Sequence, residues 1–359
     1  MQFAFYAMIA LILLGVAAYL HFYLRRLFRL WRDRKPTGRQ NVWIWLFSVA
    51  LALPMLQISS MYTLILLHFV VISAILNLAY TFSRHNRKVG LICSSGILAL
   101  GVTALVLGLG AYNMFHVVRT DYTLHTDKDV QFTIVQLADV HTTDLTTPER
   151  LIDTCNAISQ QNPDVVLLTG DIFEEQTTLE DMRAVCRLLG DIKCKYGVYF
   201  SYGNHDNSFY TDTPNYTPAQ LQAALVENGI TILCDEVTTI GNVTLVGRSD
   251  ISLNQNRKPT AELLSGTDPD NYIVVMDHQP LDLEENAAAG ADLQLSGHTH
   301  GGQIFPLGLL TELFAGRLNA GSRTIGDFTA ITSTGFAGWG YPVKTEGRSE
   351  YVTIEIQPN

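Results

Sequence analysis

The sequence predicts a layered α/β sandwich with mixed sheets, preceded by an all-α bundle of four transmembrane helices. Two observations support this prediction. The first 115 residues contain long stretches without a charged side chain, and from residue 130 onward short apolar runs alternate with amphipathic stretches. The composition changes sharply near residue 116, so we expect a membrane domain over residues 1–115 and a second domain over residues 116–359.

Three charge-free stretches define the membrane domain, namely Met1–Leu24, Gln40–Ser83 and Val89–Val118. A bilayer core about 30 Å thick needs roughly 20 apolar residues of helix, so the first and third stretches each fit one span. As one helix the middle stretch would be about 66 Å long, which is too long for one crossing. We expect it to divide near Ser59-Ser60 into two spans. A buried helical core is the alternative, but soluble helices carry charged faces and these stretches carry none.

The basic side chains predict the orientation of the spans. The loop Arg25–Arg39 carries seven Lys/Arg residues and Arg84–Lys88 carries three, and short basic loops stay in the cytoplasm. Four spans place both loops on the same side, whereas three would place them on opposite sides. We therefore expect a multi-pass protein of the cell membrane with an extracytoplasmic second domain. No basic leading segment or cleavage site precedes the first stretch, so we do not expect a removable signal peptide.

The second domain is acidic. The chain has 24 Lys/Arg and 34 Asp/Glu residues; beyond residue 115 it holds 14 basic and 33 acidic residues, a formal charge of −19. Such a domain repels a nucleic-acid backbone, whose binding needs clustered Lys/Arg, so we expect no nucleic-acid partner.

The cysteines leave two alternatives open. None forms a CxxC pair, so a zinc–thiolate site is not expected. In an extracytoplasmic domain, the four beyond residue 115 would form two disulfides or remain free thiols; they are Cys155, Cys186, Cys194 and Cys234.

Apolar runs in the second domain are expected to form strands that are covered on both faces. They are Phe132–Leu137, Val165–Leu168, Val198–Tyr202, Val243–Val246, Tyr272–Met276 and Leu293–Leu295. A helix follows the first run, with Thr147 as its cap and Pro148 in its first turn. Its apolar face is expected to comprise Leu151, Ile152, Cys155 and Ile158. Further helices are predicted over Leu179–Leu189 and Pro218–Asn228.

Five short polar fragments carry the candidate chemistry, and four of them directly follow a predicted strand. They are Asp139-Val140-His141, Gly170-Asp171, Gly203-Asn204-His205-Asp206, Asp277-His278 and Gly297-His298-Thr299-His300-Gly301-Gly302-Gln303. Carboxylate, amide and imidazole donors that converge from strand ends are what a two-metal hydrolytic site needs.

In this order, the five fragments resemble those of the calcineurin-like metallophosphoesterase family, over residues 120 to 357. The resemblance implies a four-layer α/β/β/α sandwich with two metal ions. It implies that one ion is bound by Asp139, His141, Asp171 and His300, and the second by Asp171, Asn204, His278 and His298. It also implies that His205 is a general acid against the substrate phosphate, with Asp206 holding its ring. Lys344 stands where an arginine is more usual, and the Gly-Gly-Gln after His300 is typical of a membrane-associated or exported branch.

The resemblance therefore implies a hydrolase of a phosphodiester or a phosphomonoester, with the diester favoured, that uses two divalent ions (Mn²⁺, Fe or Zn²⁺), and the charge-free stretches imply that it is anchored in the membrane. Such ions lower the pKa of a bridging water, and the hydroxide attacks phosphorus while His205 assists the leaving oxygen. A lipid head group or an envelope phosphoester is the expected substrate, because the spans hold the site beside the bilayer.

Two other functions are possible on the same sequence. A catalytically inactive scaffold or binding module is the first, but relatives of that kind lose ligands or the catalytic histidine, and here every position is filled. A transporter is the second, but no charged residue lies within the spans to line an ion path.

Overall fold

The computed structural model describes residues 2–82 and 92–359. The chain divides into two compact units, residues 1–109 and residues 110–359. The basic segment Arg84–Lys88 lies outside the described residues.

Apolar helices make up the first unit. They are α1 (Gln2–Arg32), α2 (Gly38–Ala52), α3 (Met61–Phe82) and α4 (Ile97–Phe115), and a 3₁₀ turn over Leu53–Leu56 follows α2. Within the described residues, three helices are long and apolar enough to cross a membrane: α1 from Ala7, α3 to Thr81, and α4. The middle apolar stretch forms two helices, with Ser59 and Ser60 between them. At 15 residues, α2 is shorter than the roughly 20 that a bilayer core requires.

The described part of the second unit contains two six-stranded sheets. The first has the order β1-β12-β2-β3-β4-β5 and the second the order β10-β11-β9-β8-β7-β6. The strands are β1 (Val118–Thr126), β2 (Phe132–Leu137), β3 (Val165–Thr169), β4 (Val198–Ser201), β5 (Ile230–Ile232), β6 (Glu236–Ile240), β7 (Val243–Gly247), β8 (Tyr272–Met276), β9 (Leu293–Ser296), β10 (Gly321–Ile325), β11 (Phe328–Thr332) and β12 (Glu350–Pro358).

Both sheets are mixed, as predicted. Strands β2 to β5 run parallel to one another, and β12 pairs antiparallel with β2. In the second sheet β7, β8, β9 and β11 are parallel, whereas β6 and β10 are antiparallel to their neighbours. All six predicted strands are present, with boundaries that shift by at most one residue.

The three predicted helices of this unit are also present, as α5 (Pro148–Gln161), α6 (Leu179–Gly190) and α7 (Pro218–Glu227). Thr147 is the N-cap residue of α5, although its side chain accepts no capping hydrogen bond. Leu151, Cys155 and Ile158 are buried, but Ile152 is 41% exposed. The prediction that Ile152 belongs to the buried face is therefore wrong. Shorter helices not predicted from the sequence are α8 (Thr260–Leu263), α9 (Leu283–Ala288) and α10 (Leu307–Ala315).

Three apolar clusters form the core of the described second unit. One joins β2, β3 and β4 to α5, α6 and α7, and includes Met114 from the end of α4. A second joins residues of the two sheets, such as Ile134 and Val274. The third joins the second sheet to residues such as Leu264 and Leu283. All five cysteines lie within the described residues and are free thiols, so of the two alternatives the structure has the free thiols.

The two faces of α5 allow a direct stability test. Leu151 is fully buried and its neighbour Ile152 is exposed. We expect Leu151→Ala to lower the free energy of unfolding by about 2–5 kcal/mol, because it leaves a cavity between α5 and the first sheet. Ile152→Ala should change it by about 0.5 kcal/mol. Thermal unfolding of the detergent-solubilised variants measures both, and equal losses would contradict the observed packing of the helix.

Candidate metal centre and active site

The predicted ligands lie in loops that leave the carboxyl ends of neighbouring strands. Asp139 and His141 follow β2, Asp171 follows β3, and Asn204 follows β4. His278 follows β8, and the two remaining histidines follow β9, its neighbour in the second sheet. Because parallel strands present their carboxyl ends at one edge of a sheet, each sheet brings its own ligands together.

The backbone of these loops is turned sharply at the ligands themselves. Five of the predicted ligands have positive φ, namely Asp139 (51°), His141 (46°), Asp171 (53°), His298 (71°) and His300 (51°). Residues other than glycine rarely adopt this left-handed conformation, and each such residue costs on the order of 1–3 kcal/mol. The surrounding fold therefore holds the ligands in conformations that they would not adopt alone.

Gly170 allows the loops from the two sheets to approach each other. Its φ is 81°, and a Cβ atom there would lie 2.6 Å from the Gly203 nitrogen and 2.6 Å from His278 Nδ1. Both distances are shorter than real Cβ contacts. A side chain at this position would therefore separate the ligands after β3, β4 and β8.

The ligand atoms form two adjacent groups. Asp139, His141 and His300 offer atoms that all lie within 4.8 Å of one another, and so do Asp171, His278 and His298. His141 Nε2 lies 4.0 Å from Asp139 Oδ1 and 3.8 Å from Asp171 Oδ2, so it faces both carboxylates. Each group contains three of the four residues that the resemblance implies for one ion.

Asn204 lies at the second of these groups. Its side-chain Oδ1 is 2.9 Å from His298 Nδ1. The predicted amide ligand is therefore in contact with the predicted imidazole ligand.

Hydrogen bonds at Nδ1 orient three of the imidazoles. His278 Nδ1 is 2.9 Å from the Thr169 carbonyl, His300 Nδ1 is 3.2 Å from the Ala337 carbonyl, and His141 Nδ1 is 3.2 Å from Glu174 Oε2. A carbonyl oxygen only accepts, so Nδ1 of His278 and His300 carries a proton, and Nε2 is the nitrogen left to bind a cation. In each case Nε2 is the nitrogen that faces the carboxylates.

Buried nitrogens without partners test whether metals fit this site. Within the described residues, Nε2 of His141 and Nε2 of His278 are buried without a hydrogen bond. His278 Nε2 lies 3.0 Å from Asp171 Oδ2, but the two are not aligned as a hydrogen bond. Buried polar atoms rarely remain unsatisfied unless an ion or water completes them. These nitrogens, together with the buried carboxylates, fit borderline divalent cations.

The pKa shifts of the site differ from group to group: although burial opposes it, the charge of Asp171 raises the pKa of His278 well above its ordinary value. Burial raises the pKa of Asp139, whereas the neighbouring His278 and His141 hold the pKa of the equally buried Asp171 well below its usual range. Burial, followed by the charge of His278, lowers the pKa of His298 to about 3. Burial also lowers the pKa of His300 well below its ordinary value. Both imidazoles are thus held neutral, which is the form that binds a metal.

His205 is held by a carboxylate that the sequence did not predict. Its Nδ1 lies 2.8 Å from Glu175 Oε2. Although burial lowers the pKa of His205, this hydrogen bond and the charges of Asp171 and Glu175 raise it above its ordinary value overall. Asp206, predicted to hold this ring, instead accepts hydrogen bonds from the backbone nitrogens of Gly203 (2.7 Å), Asp171 (2.9 Å) and Phe173 (3.0 Å).

Two further side chains of the site were missed, and a third, Lys344, has a role that the sequence did not show. Glu174 and Glu175 lie three and four residues after Asp171, and a pair of acidic residues so close to a ligand was the available signal. Lys344 is fully buried, and its Nζ donates to the Thr334 carbonyl (2.6 Å) and the Gly335 carbonyl (3.0 Å). Burial lowers the pKa of Lys344 to about 7. This lysine thus holds backbone carbonyls.

An open cleft of about 810 Å³ borders His205 and Asn204. Its other lining residues are Glu175, Gln176, Tyr210, Thr211, Thr213, Asn215 and Trp339. The ring centroids of Tyr210 and Trp339 lie 5.1 and 5.9 Å from that of His205. The cleft can admit a substrate group to the imidazole.

Residues 132–302 match the family described as calcineurin-like phosphoesterase. The chain therefore carries a domain of the calcineurin-like phosphoesterase family. The fold, with its mixed sheets and ligands at the strand ends, agrees with this match.

Several curated proteins are similar to this chain. A "Transmembrane protein with metallophosphoesterase domain" of Danio rerio is 26% identical over 317 residues, covering 82% of this chain and 71% of that protein. An "Uncharacterized metallophosphoesterase" of Helicobacter pylori is 26% identical over 240 residues, covering 66% of this chain and 62% of that protein. "Phosphodiesterase YaeI" of Escherichia coli is 29% identical over 251 residues, covering 67% of this chain and 88% of that protein. The chain thus spans about three fifths of the length of the Helicobacter relative.

Metal analysis of two variants separates ligands from other site residues. We expect Asp171→Asn to lose most bound metal, because both ligand groups lose an anionic neighbour. His205→Ala should keep near-stoichiometric metal, because its Nδ1 is occupied by Glu175. Elemental analysis of the purified proteins measures both. Equal metal loss in the two variants would make His205 a ligand.

Proposed function

We propose that this chain is a membrane-anchored phosphoester hydrolase that uses two divalent ions (Mn²⁺, Fe or Zn²⁺) and prefers phosphodiesters to monoesters. The observation that carries the proposal is the convergence of two buried ligand groups, with the free Nε2 atoms of His141 and His278 facing their carboxylates. The phosphodiesterase name of the Escherichia coli relative favours a diester.

Each ligand group would hold one ion. Asp139, His141, Asp171 and His300 would hold the first, and Asp171, Asn204, His278 and His298 the second. When bound, such ions lower the pKa of a water and offset the charge of the phosphoryl oxygens.

The chain's own residues supply proton transfer and orientation. Glu175 accepts the hydrogen bond from Nδ1 of His205, which leaves Nε2 for the substrate in the cleft. A proton at that nitrogen can pass to the leaving oxygen. Glu175 fixes the tautomer and favours the charged ring, which is the role first expected of Asp206. We propose that Asp206 instead acts through the backbone.

The membrane arrangement is part of the proposal. The 15 residues of α2 and the four-residue turn after it give a segment close to the length of one span, which supports four spans. Four spans place both basic loops on the cytoplasmic side and the phosphoesterase domain outside. The three apolar clusters support a four-layer α/β/β/α order for that domain. A lipid head group or an envelope phosphoester is then the proposed substrate.

The role of Glu175 can be tested by turnover. We expect Glu175→Gln to lower kcat on bis(4-nitrophenyl) phosphate about 10–100-fold with little change in bound metal, because the imidazole loses its orienting carboxylate. His205→Ala should lower kcat about 10²–10⁴-fold. Glu180→Gln, in the first turn of α6, is the control and should retain activity.

Chelation extends the same assay. Removal of metal should abolish hydrolysis, and added Mn²⁺, Fe²⁺ or Zn²⁺ should restore it. Metal-loaded protein that hydrolyses no monoester, diester or phospholipid in a screen would favour the inactive scaffold instead.

Topology is tested on intact cells or spheroplasts. Added protease should digest the domain beyond residue 120, because four spans place it outside. A tag inserted in the basic loop between α1 and α2, at residues 33–37, should stay protected. The opposite protection pattern would argue against the extracytoplasmic assignment while leaving the metal site untouched.

A further inference from the structure

One surface of the phosphoesterase domain is apolar and uncovered. It comprises Phe305 and the helix α10, whose side chains Leu307, Leu309, Leu310, Leu313 and Phe314 are all exposed. Phe314 is 84% exposed and Leu313 is 68% exposed. We call this surface the apolar ridge. Within α10 itself, Gly308 is the one buried residue.

Helix α10, which forms most of the ridge, differs from the longer helices of the unit. Helices α5 and α6 bury an apolar face and expose polar side chains. In α10 the apolar side chains point into open space, which is unfavourable in water. A contiguous apolar patch of this kind marks a surface that docks on a partner or a membrane.

The domain holds the ridge in a fixed place. The Glu346 carboxylate accepts hydrogen bonds from the backbone nitrogens of Gly308 (2.8 Å) and Leu309 (2.9 Å), so it caps the first turn of α10. The Thr345 hydroxyl accepts one from the Phe305 nitrogen (3.0 Å). The ridge is therefore anchored to the segment Lys344–Glu346.

The same segment contacts the end of α4. The backbone nitrogen of Lys344 donates to the Gly110 carbonyl (2.9 Å), and Asn113 Nδ2 donates to the backbone carbonyl of Lys344 (3.3 Å). A Cβ atom on Gly110 would lie 2.9 Å from the Thr345 methyl group. All of these residues belong to the second unit. Since α4 is one of the candidate spans, the ridge is fastened to the residues at which that span ends.

We propose that the apolar ridge lies in the interface of the lipid bilayer, beside the end of α4. We take the lipid bilayer as the partner because the ridge lies next to a span. An apolar helix in that position contacts lipid directly and needs no other protein. Electrostatic attraction does not explain the docking, since the part of the chain beyond residue 115 carries a formal charge of −19. Burial of apolar side chains at the boundary between head groups and acyl chains is the remaining attraction.

Docking of the ridge orients the candidate site. The ridge begins two residues after Gln303, whose Oε1 accepts a hydrogen bond from the Trp339 nitrogen (2.9 Å). Trp339 lines the cleft beside His205. If the proposed hydrolase function holds, on which this consequence rests, the cleft opens near the head groups and takes an amphiphilic phosphoester from the bilayer plane.

The test measures where the ridge lies, without reference to turnover. The full-length chain, with Cys234→Ser to remove its one exposed cysteine, is reconstituted in phosphatidylcholine–phosphatidylglycerol liposomes. A nitroxide label is placed at Leu313→Cys and, separately, at Phe314→Cys. The control is Val226→Cys, a 61% exposed aliphatic position on α7, which packs beside the edge strand β5. Signal from the Cys234→Ser parent is subtracted.

Collision rates with oxygen and with a water-soluble nickel complex decide the outcome. We expect oxygen to dominate at positions 313 and 314, because oxygen concentrates in lipid, and nickel to dominate at position 226. Nickel dominance at both ridge positions would overturn the proposal. Shielding from both reagents, with dipolar broadening between labels, would also overturn it and assign the ridge to a second copy of the chain. The result holds even if the chain hydrolyses no phosphoester, so the two proposals fail separately.

Discussion

The site depends on two buried carboxylates, Asp139 and Asp171. The imidazole of His141 faces both of them. An anion removed from water is costly unless charges or hydrogen bonds compensate it. The backbone nitrogen of His298 donates to Asp139, and that of His205 donates to Asp171. The His298 nitrogen comes from a loop of the second sheet, so compensation of the Asp139 charge requires the two sheets to meet. The left-handed ligands and Gly170 follow from that requirement.

The interior strands were predictable because burial on both faces leaves a continuous apolar run. The four edge strands, β1, β5, β6 and β10, were not predicted. β1 and β10 alternate between partly buried and exposed residues, β6 has one buried residue among five, and β5 is only three residues long. Two interior strands, β11 and β12, were also missed, because threonine and glutamate interrupt their apolar residues. Ile152 was misplaced because apolar character alone does not exclude exposure.

The ligands were predictable because each lies beside a strand end, in a fragment whose carboxylate, amide or imidazole side chains are typical metal ligands. The carboxylate that holds His205 was not predictable. Asp206 is its neighbour in the sequence, but the loop after β3 brings Glu175 to the ring. The start of the second compact unit was also not predictable from the sequence. After Lys88 the next charged residue is Arg119, but packing begins earlier, since Met114 is 1% exposed within the core. A methionine suits a lipid environment and a protein core alike, so composition does not mark the change.

Asp206 has a consequence for how quickly the site can be filled. One carboxylate holds backbone nitrogens on both sides of the gap between the loops after β3 and β4, and its own backbone carbonyl is held by the Tyr216 hydroxyl. The ligands on these loops are therefore already in place before any cation arrives. In small zinc domains the chain folds around the ion, and binding is as slow as folding. Here the folded chain already holds these loops, so the binding of an ion would not wait for folding.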